Sequence, residues 1–109
     1  MPETAGAALD IVIVSYDVRA DLARCLDSLT AAPPGRPWRV TVVDNRSSDG
    51  TLAWLHERWP AVQAIDAGGN LGFARANNLG LRATSAPLVL FLNPDTTVGP
   101  GQIERLVVG

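Results

Sequence analysis

The sequence contains no lysine; all nine of its basic residues are arginine. Chemistry that requires a side-chain amine is therefore excluded, and so is the phosphate-binding loop that ends in lysine. Receiver-type signalling folds, which need a lysine after a late strand, are excluded on the same ground. Arginine is still well suited to bidentate contacts with phosphate. There is one cysteine, Cys25, so no internal disulfide can form, and an intracellular chain is expected. Cys25 lies in an apolar helical pattern and reads as a core thiol. The one histidine, His56, sits beside Glu57 and Arg58 and reads as a surface residue. A formal charge of −2 leaves no basic footprint for nucleic acid. No apolar run approaches the ~20 residues needed to span a bilayer. Residues 1–8 lack the basic and apolar regions of a secretory signal and read as a disordered tail. There is no internal repeat, and the dinucleotide pattern G-x-G-x-x-G is missing.

What is present describes one globular domain, residues 9–109. Hydrophobic residues make up 47% of the chain and charged residues 18%, a composition that can build a core. The β-branched run Leu9 to Tyr16 predicts a buried strand. From Val18 to Ala31 the period changes, with Val18, Leu22, Cys25, Leu26 and Leu29 on one helical face. Strands are predicted over Trp38 to Val43, Val62 to Ile65 and Leu88 to Leu92, the last as a buried strand. Helices are predicted over Thr51 to Trp59, Leu71 to Thr84 and Gln102 to Val108. Trp38, Trp54 and Trp59 read as core or helix-packing residues. Strict strand–helix alternation predicts an α/β fold: a parallel, doubly wound, Rossmann-like sheet with helices on both faces.

Polar clusters follow the strands, where open α/β sheets bind ligands. Ser15-Tyr16-Asp17 ends the first strand and can hold a base or ribose, or Asp17 can cap the next helix. Asp44-Asn45-Arg46-Ser47-Ser48-Asp49-Gly50 follows the second. Asp44 can accept from a base imide or a ribose hydroxyl, and Ser47 and Asp49 read equally as turn and cap residues. The glycine-rich stretch from Ala67 to Gly80 lets backbone approach a ligand closely, and Arg75 can reach a phosphate. Asn77 and Asn78 are costly inside a helix, and one of them is expected to hydrogen-bond the neighbouring loops. Asn93-Pro94-Asp95-Thr96 ends the fourth strand. Asp95 there is either a divalent-cation ligand or a solvent-facing residue of an Asn-Pro turn.

IVIVSYD, VVDNRSSDGT, GGNLGFARANNLG and FLNPDT, in this order and spacing, resemble the N-terminal half of family 2 glycosyltransferases with the GT-A fold. The closest flavour is rhamnosyltransferase-like, in which N-P-D stands where other members carry D-x-D. The resemblance covers the chain from Leu9 onward. It implies an inverting transferase that moves a sugar from a nucleotide-diphosphate donor, a dTDP- or UDP-sugar, to a saccharide or lipid-linked acceptor in cell-wall or polysaccharide synthesis. Ser15, Tyr16 and Asp44 would bind the nucleotide, and Asn70, Gly72, Arg75, Asn78 and Asn93 would line the donor site. Asp95 would be the metal ligand, for Mg²⁺ or Mn²⁺, or the ribose ligand of the D-x-D position. The resemblance places the catalytic base and the acceptor site downstream of Asp95, and Glu104 is not positioned to be that base. The chain is thus expected to be a donor-binding half, incomplete at its C-terminus, either as part of a transferase or as a non-catalytic nucleotide-sugar-binding module. A cytoplasmic location, at or near the inner face of the membrane, and self-association through an exposed sheet edge are further expectations.

Overall fold

The structure, a computed structural model, describes residues 8–103. All but Ala8 of the expected tail, Glu104, and most of the helix expected over 102–108 lie outside the described residues. The elements alternate as expected: β1 (Leu9–Ser15), α1 (Arg19–Ala31), β2 (Trp38–Asp44), α2 (Thr51–Arg58), β3 (Gln63–Asp66), α3 (Phe73–Arg82) and β4 (Leu88–Leu92). The strands form a parallel sheet in the order β3-β2-β1-β4. β1 and β2 are in register from Leu9↔Trp38 to Ser15↔Asp44, so both strands release the chain at the same level of one sheet edge.

Side chains alternate between the two faces of the central strands. Leu9, Ile11, Ile13, Val40 and Val42 form one core with Leu22, Cys25, Leu26 and Leu29 of α1 and Leu55 of α2. Val14 and Val43 face the other way and pack on Ala76 of α3. β1 and β2 can carry continuous apolar stretches, Ile11 to Val14 and Val42 to Val43, because helices cover both of their faces. The tryptophans are where the sequence suggests: Trp38 is buried, and Trp54 and Trp59 pack against the first core.

α3 lies unusually close to the sheet at Gly80. A Cβ there would meet Val12 Cγ1 at 2.5 Å and Val43 Cγ2 at 3.0 Å. Alanine is the better helix former by about 1 kcal/mol, but overpacking a tight core costs about 1–3 kcal/mol. Gly80→Ala should therefore lower stability, seen as a reduced urea midpoint. A raised midpoint would show that α3 does not depend on this close approach.

One expectation is corrected. β4 is not a buried strand; among the described residues it is an edge strand paired only with β1, and Leu88 and Phe91 are exposed. Phe91 lies beside Val12 in the register, on the face that α3 covers only over β1 and β2. β4 is apolar in composition, yet of its residues only Leu92 is fully buried.

At the end of the sheet where β1 begins, Asp10 is completely buried. Its carboxylate accepts hydrogen bonds from Arg39 Nε at 2.6 Å and Nη2 at 3.1 Å. It also accepts from the backbone N–H groups of Ser85 and Ala86, at 3.0 and 2.9 Å. Arg39 Nη2 donates in addition to the Ala83 carbonyl at 3.2 Å. One ion pair between neighbouring strands thus clamps the whole turn from α3 to β4.

Candidate functional site: a polar pocket at the carboxyl ends of the strands

The chain leaves β1 and β2 through two residues with left-handed backbone, Asp17 (φ 52°) and Arg46 (φ 64°). Non-glycine residues hold this conformation only where their surroundings impose it. Here the two loops lock each other. Asp17 N–H donates to Ser47 Oγ at 2.9 Å, and Ser48 N–H donates to Asp17 Oδ1 at 2.6 Å. Ser47 in turn donates to Asp44 through its hydroxyl (2.5 Å) and its backbone N–H (3.0 Å).

Asp17 does not cap α1. That role falls to Asp49, which accepts the Arg19 N–H at 3.1 Å and also binds the Thr51 N–H and hydroxyl. One carboxylate therefore serves the N-termini of both α1 and α2, where negative charge is favoured. Burial pushes the Asp49 carboxyl up, but the hydrogen bonds from Thr51 and Arg19 outweigh it and hold it below the usual value.

The third loop runs from β3 to α3. Asp66 Oδ1 accepts the Gly68 N–H at 2.8 Å, and Asn70 Oδ1 accepts the Gly72 N–H at 3.1 Å. Gly68 and Gly72 have φ of 79° and 81°, a conformation that glycine adopts without strain. Neither Asn77 nor Asn78 hydrogen-bonds the neighbouring loops among the described residues. The residue that does is Asn45, which the sequence reading passed over. It is buried, accepts the Leu71 N–H at 3.0 Å, and sets its side-chain amide 3.5 Å from the Gly72 carbonyl oxygen.

The fourth loop follows β4. Thr96 N–H donates to the Asn93 carbonyl at 3.0 Å, closing the Asn-Pro-Asp turn. Val98 N–H donates to Ser28 Oγ of α1 at 3.0 Å, which fixes the loop against the first helix. This brings Asp95 near buried Cys25, whose thiol is pushed up to about 11, first by burial and then by the Asp95 charge.

Between these loops lies a pocket of about 420 Å³. Of the residues singled out from sequence, Tyr16, Asn70, Asn93 and Asp95 line it; Asp21, Asn45 and Phe73 line it as well. The remaining candidates lie off its wall. Ser15 and Asp44 are buried at the strand ends, and both Asp44 oxygens are held by Ser47. Ser15 Oγ is buried and makes no hydrogen bond. Gly72 caps α3, and Arg75 and Asn78 are on its exposed surface. Asp21 and Phe73 escaped notice in the sequence because the first lies inside a helical pattern and the second reads as an ordinary apolar residue.

No cluster of three or more His, Cys, Asp or Glu residues occurs among the described residues. The pocket does hold two carboxylates, Asp95 and Asp21, the second of which is ion-paired to Arg24 one turn on in α1. Hard oxygen donors of this kind, few in number, fit a cation such as Mg²⁺ or Mn²⁺ that completes its coordination with water and phosphate.

The family model for glycosyl transferase family 2 matches residues 10–108. An N-acetylglucosaminyl-diphospho-decaprenol L-rhamnosyltransferase of Mycobacterium tuberculosis is 37% identical over 110 residues, an alignment covering 91% of this chain and 36% of that protein. Among solved structures, Staphylococcus aureus TarS 1–349 in complex with UDP-GlcNAc superposes with a TM-score of 0.77 at 20% identity, over 90% of this chain and 29% of that one. The mannosyltransferase PcManGT from Pyrobaculum calidifontis, in complex with GDP-Man and Mn²⁺, gives 0.74 at 23% identity, over 89% and 30%. At these identities the two structures speak for the fold alone. The chain spans about a third of the length of the curated relatives it matches. By its four ordered motifs, its parallel sheet and the match to nearly its entire length, the chain belongs to glycosyl transferase family 2.

Proposed function

We propose that the pocket binds the nucleoside diphosphate of an activated sugar, and that this chain supplies the donor site of an inverting glycosyltransferase. The observation that carries this reading is the origin of the pocket wall. The loops after β1, β2, β3 and β4 each contribute a polar residue, Tyr16, Asn45, Asn70 and Asp95 in turn. That is where a doubly wound sheet places nucleotides.

In this reading the exposed ring of Tyr16 offers a stacking surface for the base. Asn70 and Asn93 hydrogen-bond the ribose or the sugar. Gly72 and Arg75, at the start of α3, and Asn78, further along its exposed side, would meet the phosphates and the sugar once the donor extends beyond the pocket. Ser15 and Asp44 contribute from behind by holding the strand ends, with Asp44 fixing the Ser47 turn. Asp95 would hold Mg²⁺ or Mn²⁺, which would supply Lewis-acid stabilisation of a departing diphosphate. The motif resemblance to rhamnosyltransferase-like members favours a dTDP- or UDP-sugar donor. The relative's name favours a lipid-linked saccharide acceptor.

Calorimetric titration with dTDP, UDP and GDP, each with and without Mn²⁺, tests the reading. Binding of one nucleotide that strengthens with Mn²⁺ is expected. If all three bind alike whether or not metal is present, the pocket recognises charge and not a nucleoside diphosphate.

A further inference from the structure

We infer that Asn45 is the positioning residue of the donor pocket: a single latch that holds the glycine-rich loop in its binding conformation. The inference rests on the donor-site reading above and gives a role to a residue that reading leaves unassigned.

The loop 67–72 has few means of holding its shape. Its first residue is anchored to the sheet, since Ala67 N–H donates to the Asp44 carbonyl at 3.0 Å. The bonds of Asp66 to Gly68 and of Asn70 to Gly72 are local to the segment. Packing adds little, for a Cβ placed on Gly68, Gly69 or Gly72 would meet nothing within 4 Å. Gly68 and Gly72, at positive φ on either side of Asn70, have no side chain to pin them. α3 itself has no side-chain cap.

Among the described residues, one side chain distant in sequence reaches the loop, beyond the local bond from Asp66 at the end of β3. Asn45 accepts from the Leu71 N–H and directs its amide at the Gly72 carbonyl. That same carbonyl accepts the Ala76 N–H at 3.1 Å, the first turn of α3. Asn45 thereby ties the two residues before the helix to the end of β2. Its own backbone is immobilised, because Asn45 N–H donates to the Ser15 carbonyl at 2.8 Å. The latch is thus rigid on the sheet side and hinged on the loop side. Asn70 and Phe73, which bracket the latched pair, are the two residues that this segment contributes to the pocket wall. Without the latch, both would sample positions away from the nucleotide, and binding would bear the cost of ordering them.

The test uses the full chain and two readouts. The first, amide exchange by NMR, needs no nucleotide. In Asn45→Ala, exchange at Leu71 and Gly72 should accelerate roughly tenfold, the loss of one buried hydrogen bond, while the amides of β1 and β2 are unchanged. Asn45→Asp keeps an acceptor for Leu71, so Leu71 should remain protected; this variant also serves if Asn45→Ala does not fold. The second readout is UDP or dTDP affinity in the presence of Mn²⁺, expected to fall roughly tenfold in Asn45→Ala and to recover in part in Asn45→Asp. Unchanged Leu71 exchange in Asn45→Ala, or loss of Leu71 protection in a folded Asn45→Asp, overturns the inference. So does faster exchange with undiminished affinity. Wild-type chain that binds no nucleotide, yet whose Leu71 protection depends on Asn45, would overturn the donor reading and leave the latch standing.

Discussion

Replacing Asp10 by alanine is expected to lower the stability of the fold by about 3 kcal/mol, with a fall in Tm on the order of 12 °C. The change removes one partner of a buried ion pair and leaves the other without compensation. Arg39 is 14% exposed at its side chain, so water relieves part of its cost, which puts the effect near the lower end of what such deletions do. The Ser85 and Ala86 N–H groups lose their acceptor at the same time. Burial alone would raise the Asp10 carboxyl. The hydrogen bonds from Arg39, Ala86 and Ser85 and the Arg39 charge overcome burial and hold it below its ordinary value of 3.8. A depressed carboxylate contributes stability that is fully present above the unfolded-state pKa and is lost as pH falls through the folded one. The stability gap between wild type and Asp10→Ala should therefore be constant near neutrality and narrow below about pH 4. Urea midpoints at several pH values measure it. A gap that widened on acidification would mean that Asp10 is not held as an anion.

Asp95→Ala is expected to weaken Mn²⁺-dependent nucleotide binding by about 100-fold, to the edge of detection. Asp95 lies exposed on the pocket wall in the turn after β4, where removing a side chain seldom changes stability by more than about 0.5 kcal/mol. Loss of binding with an unchanged Tm is the signature to look for. A second variant gives the opposite sign. Asn93→Asp adds a carboxylate two residues before Asp95, and should tighten Mn²⁺ binding while raising the dependence of nucleotide affinity on metal. If Asp95→Ala binds nucleotide as the wild type does, both with Mn²⁺ and with chelator, then Asp95 holds no cation.

Much of the architecture could be read from local pattern. The β-branched runs Ile11 to Val14 and Val40 to Val43, and the helical spacing of Leu22, Cys25, Leu26 and Leu29, were unambiguous because burial on both faces, or on one stripe, leaves a distinct period. β4 was misread because composition reports how apolar a strand is, and its place in the sheet depends on strand order. LVLFL would suit a central strand, yet in the order β3-β2-β1-β4 it has one neighbour. The candidate site was legible where a residue type names its chemistry, as with Asp95 and Tyr16. It was opaque where function depends on partners distant in sequence. Asn45 meets Leu71 26 positions away, and Asp10 meets Ala86 76 positions away. Asp10 drew no reading within the run Leu9 to Tyr16, and only the register sets it beside Arg39. Asp49 likewise read as a cap for one helix and caps two.

The most direct test of the donor pocket is an amide-shift map of the chain, recorded by NMR as UDP or dTDP is added with Mn²⁺. The account predicts saturable shifts confined to Tyr16, Asn45, the segment 70–73 and the turn 93–95, with the Asp10 clamp at the far end of β1 undisturbed. Saturable shifts that instead cluster elsewhere, for example around Trp54 and Trp59 between α1 and α2, or no shifts in a folded chain, would contradict it.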